Sequence, residues 1–205
     1  MSSGPARQGD LFAGAPPLED ASGAGPLPPP LLRHQLLSWQ ERLAAHQTPL
    51  FQGAERGRAQ TDLFGQGAND ASSSLAAALD PLSLQAQSLS FWRWPEAPQS
   101  GAAIYLVMDR PSPGMPGLLL YVGETATADR RWKGEHDCKR YLDAYGEALQ
   151  RAELPLLLSI RFWFEVPGST RARRELEQAL IRRWLPPFNK ETRGRWATPF
   201  TADPA

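Results

Sequence analysis

The chain has 205 residues, 41% of them hydrophobic, with 22 basic and 22 acidic side chains and so no net charge. That length suffices for one good core and a small second unit. The single cysteine, Cys138, excludes an intrachain disulfide and a cysteine-based zinc site, and no run approaches the roughly 20 apolar residues of a membrane span. The opening stretch MSSGPARQGD lacks a charged-then-apolar leader pattern, so a soluble, cytoplasmic protein is expected.

Charge is unevenly spread. Residues 1–100 hold 6 basic and 9 acidic side chains, a net of −3, which leaves 16 and 13, a net of +3, for residues 101–205. The back half is the better candidate for an anionic partner.

Residues 1–31 are rich in Gly, Pro and Ala, and such a segment buries too little to offset its ordering entropy, so it is expected to be disordered. Leu32, Leu36, Trp39 and Leu43 then recur at helical spacing and predict a short amphipathic helix over 32–46. Residues 47–88 look irregular, GQGANDASSS above all, and the aromatics Phe91, Trp92 and Trp94 are expected to lie against a folded domain that starts near Gly101. The expected organisation is therefore a low-complexity, largely disordered region over 1–100 and a folded domain over 101–205.

From residue 101 the texture changes. AAIYLVMD reads as a buried strand, RPSPGMPG as a turn, and LLLYVGE as a second strand completing a hairpin. Cys138, Tyr141, Leu142, Tyr145, Ala148 and Leu149 share one face of a helix over 137–153. LSIRFWFEV alternates, with Leu158, Ile160, Phe162, Phe164 and Val166 on a covered face and Arg161 and Trp163 on the other. A last helix, roughly 170–184, is stopped by Pro186-Pro187. The order strand, strand, helix, strand, helix predicts an α+β domain with a small, mostly antiparallel three-stranded sheet flanked by helices.

The last helix contains an anomaly. At about 100° per residue, Ala172, Leu176, Ala179, Leu180, Ile181 and Trp184 form one apolar sector, and Glu177 falls inside it, whereas Glu175 falls on the arginine-rich side. A carboxylate so placed needs an arginine, a metal, or a proton.

Tyr105 in the first strand, Tyr121 and Gly123 at the end of the second, Arg131 eight residues beyond Gly123, Glu177 on the last helix and Asn189 after PPF form an ordered set. This set resembles the GIY-YIG nuclease family over roughly residues 101–192. AIY (Ala103–Tyr105) matches the first half-motif, with alanine for the first glycine, and YVG (Tyr121–Gly123) the second. RWKGEH is similar to the arginine–histidine stretch of phage homing endonucleases, with His136 one residue further from Arg131. LEQALIRRWLPPFN is similar to the glutamate helix and terminal asparagine of excision-repair endonucleases.

The resemblance implies a metal-dependent endonuclease acting on DNA, in repair or recombination. It implies that Tyr105 serves as general base or proton relay and that Tyr121 orients the water or a phosphate oxygen. It makes Arg131 the phosphate clamp and Glu177 the anchor of one Mg²⁺ or Mn²⁺, with His136 near the water and Asn189 a hydrogen-bonding tether. Lys133, Lys139, Arg140, Arg182, Arg183 and Lys190 are candidate contacts to the DNA backbone. The alternative is a catalytically silent adaptor that binds DNA on the same scaffold.

Three pentapeptides repeat at uneven spacing in the front half: QGDLF (Gln8, Leu11, Phe12), QTPLF (Gln47, Leu50, Phe51) and QTDLF (Gln60, Leu63, Phe64). They resemble the peptides that dock bacterial sliding clamps, which implies that clamp as a partner. The competing reading is that each Leu-Phe pair pins its segment to the folded domain.

Overall fold

In a computed structural model, the described residues are 31–53, 68–90, 101–114, 116–128 and 137–198. They form helix α1 (Arg33–Phe51), helix α2 (Ala68–Ala78), a 3-10 turn (Pro81–Ser83), strands β1 (Ala103–Asp109) and β2 (Leu118–Thr125), helix α3 (Asp137–Arg151), strand β3 (Ser159–Trp163), helix α4 (Thr170–Trp184) and a closing 3-10 helix (Arg193–Trp196). The expected α+β class and antiparallel three-stranded sheet are present, with strand order β2-β1-β3. No helix among the described residues is long and apolar enough to cross a membrane.

The central strand explains the layering. Every residue of β1 is buried, as its unbroken apolar run requires. Ala103, Tyr105 and Val107 face a core built with Leu36, Trp39 and Leu43 of α1 and with the Cys138, Tyr141, Leu142, Tyr145 and Leu149 face of α3. Ile104, Leu106 and Met108 face a second core under Leu176, Leu180, Ile181 and Trp184 of α4, with Ala76 of α2 and Leu50 and Phe51 of α1. Tyr105 pairs with Gly123 and Val107 with Tyr121, but Met108 pairs with Leu119. Leu120 is thus an extra residue in β2, and the bulge lets Leu120 and Tyr121 both contact the first core.

Three expectations are corrected. The folded unit begins at Leu31, not near Gly101, because each face of so small a sheet needs a helix over it and α1 reaches both cores. Ala68–Ala78 is a helix where irregular chain was expected; Ala76 and neighbouring Leu79 give it an apolar side against α4, so packing overrides a weak local pattern. β3 stops at Trp163 and is covered on both faces, with Ile160 and Phe162 in one core and Trp163 in the other, while Phe164 is exposed. The expected packing of Phe91, Trp92 and Trp94 lies outside the described residues.

The helix over 32–46 is longer than its apolar spacing suggested. It runs on through Pro49 to Phe51, and Gly53, at φ +75°, supplies the left-handed residue that ends it. That extension carries the second pentapeptide inward. The Gln47 side chain is fully buried; its Oε1 accepts from Leu119 N–H at 2.8 Å, and its Nε2 donates to the carbonyls of Leu119 and Trp184, both at 3.0 Å. Leu50 and Phe51 are core residues, Phe51 with its ring 4.6 Å from that of Trp184. Gln47, Leu50 and Phe51 therefore pin α1 to the domain and are not an exposed docking peptide.

Replacing Gln47 by Leu strands the N–H and C=O of Leu119, and an unsatisfied buried group costs about 1–3 kcal/mol. Urea unfolding of Gln47→Leu should show a loss of roughly 3 kcal/mol, while Gln52→Ala, at an exposed position, should stay within about 0.5 kcal/mol of the parent.

Candidate active site

β2 is an edge strand, and its outer groups are met by side chains and by the chain that follows α4. Beyond Gln47 at Leu119, the Phe188 N–H donates to the Leu120 carbonyl at 3.0 Å. Asn189 Oδ1 accepts from Val122 N–H at 2.9 Å, and its Nδ2 donates to the Val122 carbonyl at 2.8 Å. Next along the edge, Glu177 Oε1 accepts from Glu124 N–H at 3.0 Å. Helix α4 is started by the Ser169 hydroxyl, which accepts from Ala172 N–H, and is ended by Leu185 at φ 47°; the dipeptide Pro186-Pro187 then turns the chain back along β2.

Tyr105 approaches the same place from β1. A Cβ built on Gly123 would lie 2.3 Å from Tyr105 Cζ and 2.4 Å from its hydroxyl oxygen. The phenol therefore lies directly over the Gly123 backbone, and the glycine is required for that close approach. The Tyr105 ring is 1% exposed and flanked by Tyr121 (centroids 5.9 Å apart) and Phe162 (6.3 Å). The Tyr105 hydroxyl and the Glu177 carboxyl are thus anchored on successive residues of β2, Gly123 and Glu124, with Asn189 one residue earlier on Val122.

The electrostatics of Glu177 are set by its surroundings. Burial raises its pKa from 4.5 to about 7; the Glu124 N–H bond opposes this, the Glu124 and Glu191 carboxylates add to it, and Arg174 opposes it. Arg174 does not pair with Glu177. It lies 3.5 Å from Glu124 Oε1, while Arg173 Nε lies 3.4 Å from Glu124 Oε2. Of the three options the sequence left open, an arginine partner is not the one taken: Glu177 forms no ion pair among the described residues, and burial favours its protonated form.

The site also contains residues not singled out from the sequence. Arg173, which would pass for part of a solvated helix face, is 2% exposed, and its Nη1 donates to the carbonyls of Pro167 and Gly168. Glu124, immediately after Tyr-Val-Gly, is the residue it holds. The legible signal was the position of Glu124 opposite Ile104, next to the second half-motif.

The candidate residues are only partly brought together. Tyr105, Tyr121, Glu177 and Asn189 meet on β2. Arg131, Lys133 and His136 lie outside the described residues. Arg182 and Arg183 lie on α4 and Lys190 just beyond it, whereas Lys139 and Arg140 start α3, which covers the opposite face of the sheet. Both polar ends of the buried Asn189 amide are spent on Val122, so it is a positioning residue for the edge and not a phosphate ligand.

Among the described residues there is no group of three or more His, Cys, Asp or Glu side chains arranged to hold a metal. A zinc-type cage is thus not formed by them, but magnesium-type ions take one or two carboxylates and complete their shell with water. Glu177 fits that requirement: one oxygen is fixed by Glu124 N–H, and among the described residues the carboxylate forms no ion pair. Comparison with family models, with curated proteins and with solved structures gave no match to this chain.

The raised pKa has a testable consequence. Between about pH 4.5 and 7 the folded state holds a proton at Glu177 that the unfolded state has lost, so stability falls as pH rises through that window and stays lower above it. The whole fall is at most about 3 kcal/mol, at about 1.4 kcal/mol per pH unit. Glu177→Gln keeps the acceptor for Glu124 N–H and has no carboxylate to ionise. Denaturation at pH 5 and pH 8 should therefore show the variant equal to the parent at the lower pH and more stable by about 2 kcal/mol at the higher.

Proposed function

We propose that the chain is a metal-dependent DNA endonuclease of the GIY-YIG type, acting in repair or recombination. The observation that carries this reading is the anchoring of the Tyr105 hydroxyl and the Glu177 carboxyl on adjacent residues of one strand edge, Gly123 and Glu124. A phenol over Gly123 and a carboxyl on the next residue of the edge would supply a proton-accepting group and a cation ligand for one reaction centre.

Hydrolysis of a phosphodiester needs an activated water, charge relief on the phosphate and help for the leaving oxygen. Tyr105 takes the water's proton, directly or by relay; an ordinary phenol titrates near 10, so it works with a cation close by. Tyr121, ring to ring with Tyr105, orients the water or a phosphate oxygen. Arg131 clamps the phosphate through its planar fork, and His136 assists at the water. Glu177 holds the Mg²⁺ or Mn²⁺, which supplies charge relief on the phosphate when bound. Asn189 and Arg173 act on this centre through position, one fixing Val122 and the other fixing Glu124. The exposed Arg171, Arg174 and Arg182 line a groove on α4 and add backbone attraction for DNA.

The near-complete burial of Tyr105 favours a second reading, a silent adaptor that binds DNA without cutting it. One experiment separates the two. Linear and branched labelled DNAs incubated with Mg²⁺ or Mn²⁺ should be cut by the parent, and Glu177→Ala should bind but not cut. Arg131→Ala should lose at least about a hundredfold in turnover, the scale of one transition-state charge stabiliser, and Arg130→Ala far less. Undiminished cleavage by a folded Glu177→Ala variant overturns the assignment, and binding without cleavage by the parent establishes the adaptor.

Recruitment by a bacterial sliding clamp rests on the first and third pentapeptides, Gln8–Phe12 and Gln60–Phe64, which lie outside the described residues. Peptides spanning these two should bind the clamp at micromolar Kd, roughly −8 kcal/mol, and lose binding when Leu-Phe becomes Ala-Ala. In the intact chain, changing Leu50 and Phe51 should lower the melting temperature and leave clamp affinity unchanged, because both side chains are core.

A further inference from the structure

At the other end of β1, about 13 Å from Tyr105 at some 3.3 Å per residue, lies a cavity of about 450 Å³. Its wall is part apolar, with Leu82, Met108 and Leu157, and part polar, with Asp109, Arg110 and Arg161. That size and mixture suit a small organic molecule.

The polar wall is unbalanced. Arg161 Nη1 donates to the carbonyls of Pro81, Leu82 and Leu84, and its Nε is buried without a hydrogen-bond partner among the described residues. Arg161 forms no ion pair among the described residues. Burial lowers its pKa, Asp80 opposes the shift, and the like charge of Arg110 adds to it. Arg110 is exposed, and its guanidinium donates to the Pro113 carbonyl at 3.3 Å.

The one carboxyl in the wall compensates neither arginine. Asp109 is 1% exposed; its Oδ2 accepts from the Tyr145 hydroxyl at 2.7 Å and its Oδ1 from Leu157 N–H at 2.8 Å. Gln40 Nε2 donates in turn to the Tyr145 oxygen at 2.7 Å, so Asp109 belongs to an internal chain running back to α1. Burial raises the Asp109 pKa, against the pull of these bonds.

Two guanidinium groups thus line one cavity, and among the described residues neither forms an ion pair with a carboxylate. A carboxylate would answer one of them; a phosphate monoester, at about −1.5 to −2 near neutral pH, answers both, and its oxygens match the guanidinium fork. We propose that this cavity is a second binding site, specific for a phosphate monoester carried either by a free small molecule or by the end of a nucleic-acid strand. The apolar wall receives the body of the ligand, and the flanking arginines receive the phosphate. This site does not depend on the nuclease reading, since it shares no residue with the Gly123–Glu124 centre.

The test is isothermal titration of the full chain in metal-free, chelator-containing buffer, where no cleavage can occur. The probes are adenosine 5′-monophosphate, inorganic phosphate, and a single strand of about ten nucleotides with and without a 5′-phosphate. Saturable binding of a monoester is expected, weakened at least about tenfold in Arg110→Gln, whose exposed position spares the fold, and unchanged in Glu177→Gln. Binding of the mononucleotide identifies a free small molecule as the source; binding of the 5′-phosphorylated strand alone identifies a strand end. Absence of saturable binding by every probe, equal binding of the unphosphorylated strand, or an unchanged affinity in Arg110→Gln overturns the proposal.

Discussion

The outer edge of β2 is the constraint on which the rest of the molecule is hung. A lone strand edge presents unpaired N–H and C=O groups, and burying them unmet is costly. Here no fourth strand among the described residues meets them. The Gln47 amide takes Leu119, the Phe188 backbone takes Leu120, the Asn189 amide takes Val122 and the Glu177 carboxyl takes Glu124. A side-chain amide carries both a donor and an acceptor and can stand in for one residue of a missing strand. Each of these contacts also fixes a larger element: α1 through Gln47, the segment after α4 through Asn189, and α4 itself through Glu177.

The candidate centre is the last step of that ladder. At Leu119 and Val122 the partner is neutral and satisfies both backbone groups. At Glu124 the partner is a carboxyl, which accepts from the N–H through one oxygen. Burial beside Glu124 and Glu191 makes its charge unfavourable, and the arginines nearby are spent on Glu124. A group that contributes to packing as an acceptor and has no ion pair among the described residues is suited to a cation. The opposite edge of the sheet is handled differently: Gln87 pairs with Ile160 through backbone bonds in both directions, and Arg161 gathers the carbonyls of the preceding turn.

Much of this was legible in the chain. The unbroken run AIYLVMD, the strand in LSIRFWFEV and the stop at Pro186-Pro187 mark three elements through local rules of burial or backbone geometry, although β3 is shorter than LSIRFWFEV and is covered on both faces rather than one. Glu177 stood out because a carboxylate in an apolar sector breaks such a rule. What escaped reading was long-range. Ala68–Ala78 is a helix through its neighbours, and its own sequence, ANDASSSLAAA, has little periodic signal. Arg173 looks like any surface arginine until the loop carbonyls of Pro167 and Gly168 close on it. Gln47 reads as part of a repeat, and only its three bonds 72 and 137 residues away reveal it as a strut.

The distribution of those partners along the chain bears on how the protein is made. A ribosome delivers the N-terminal end first, so Gln47 is already waiting when β2 emerges, and Leu119 can be covered at once. Val122 and Glu124 must wait for α4 and for Asn189, which come more than fifty residues later. During that interval the nascent chain displays a half-open β ribbon whose exposed groups are the ones that later frame the Glu177 centre. The centre is therefore completed only once α4 and Asn189 arrive, and the same step covers the outer edge of β2.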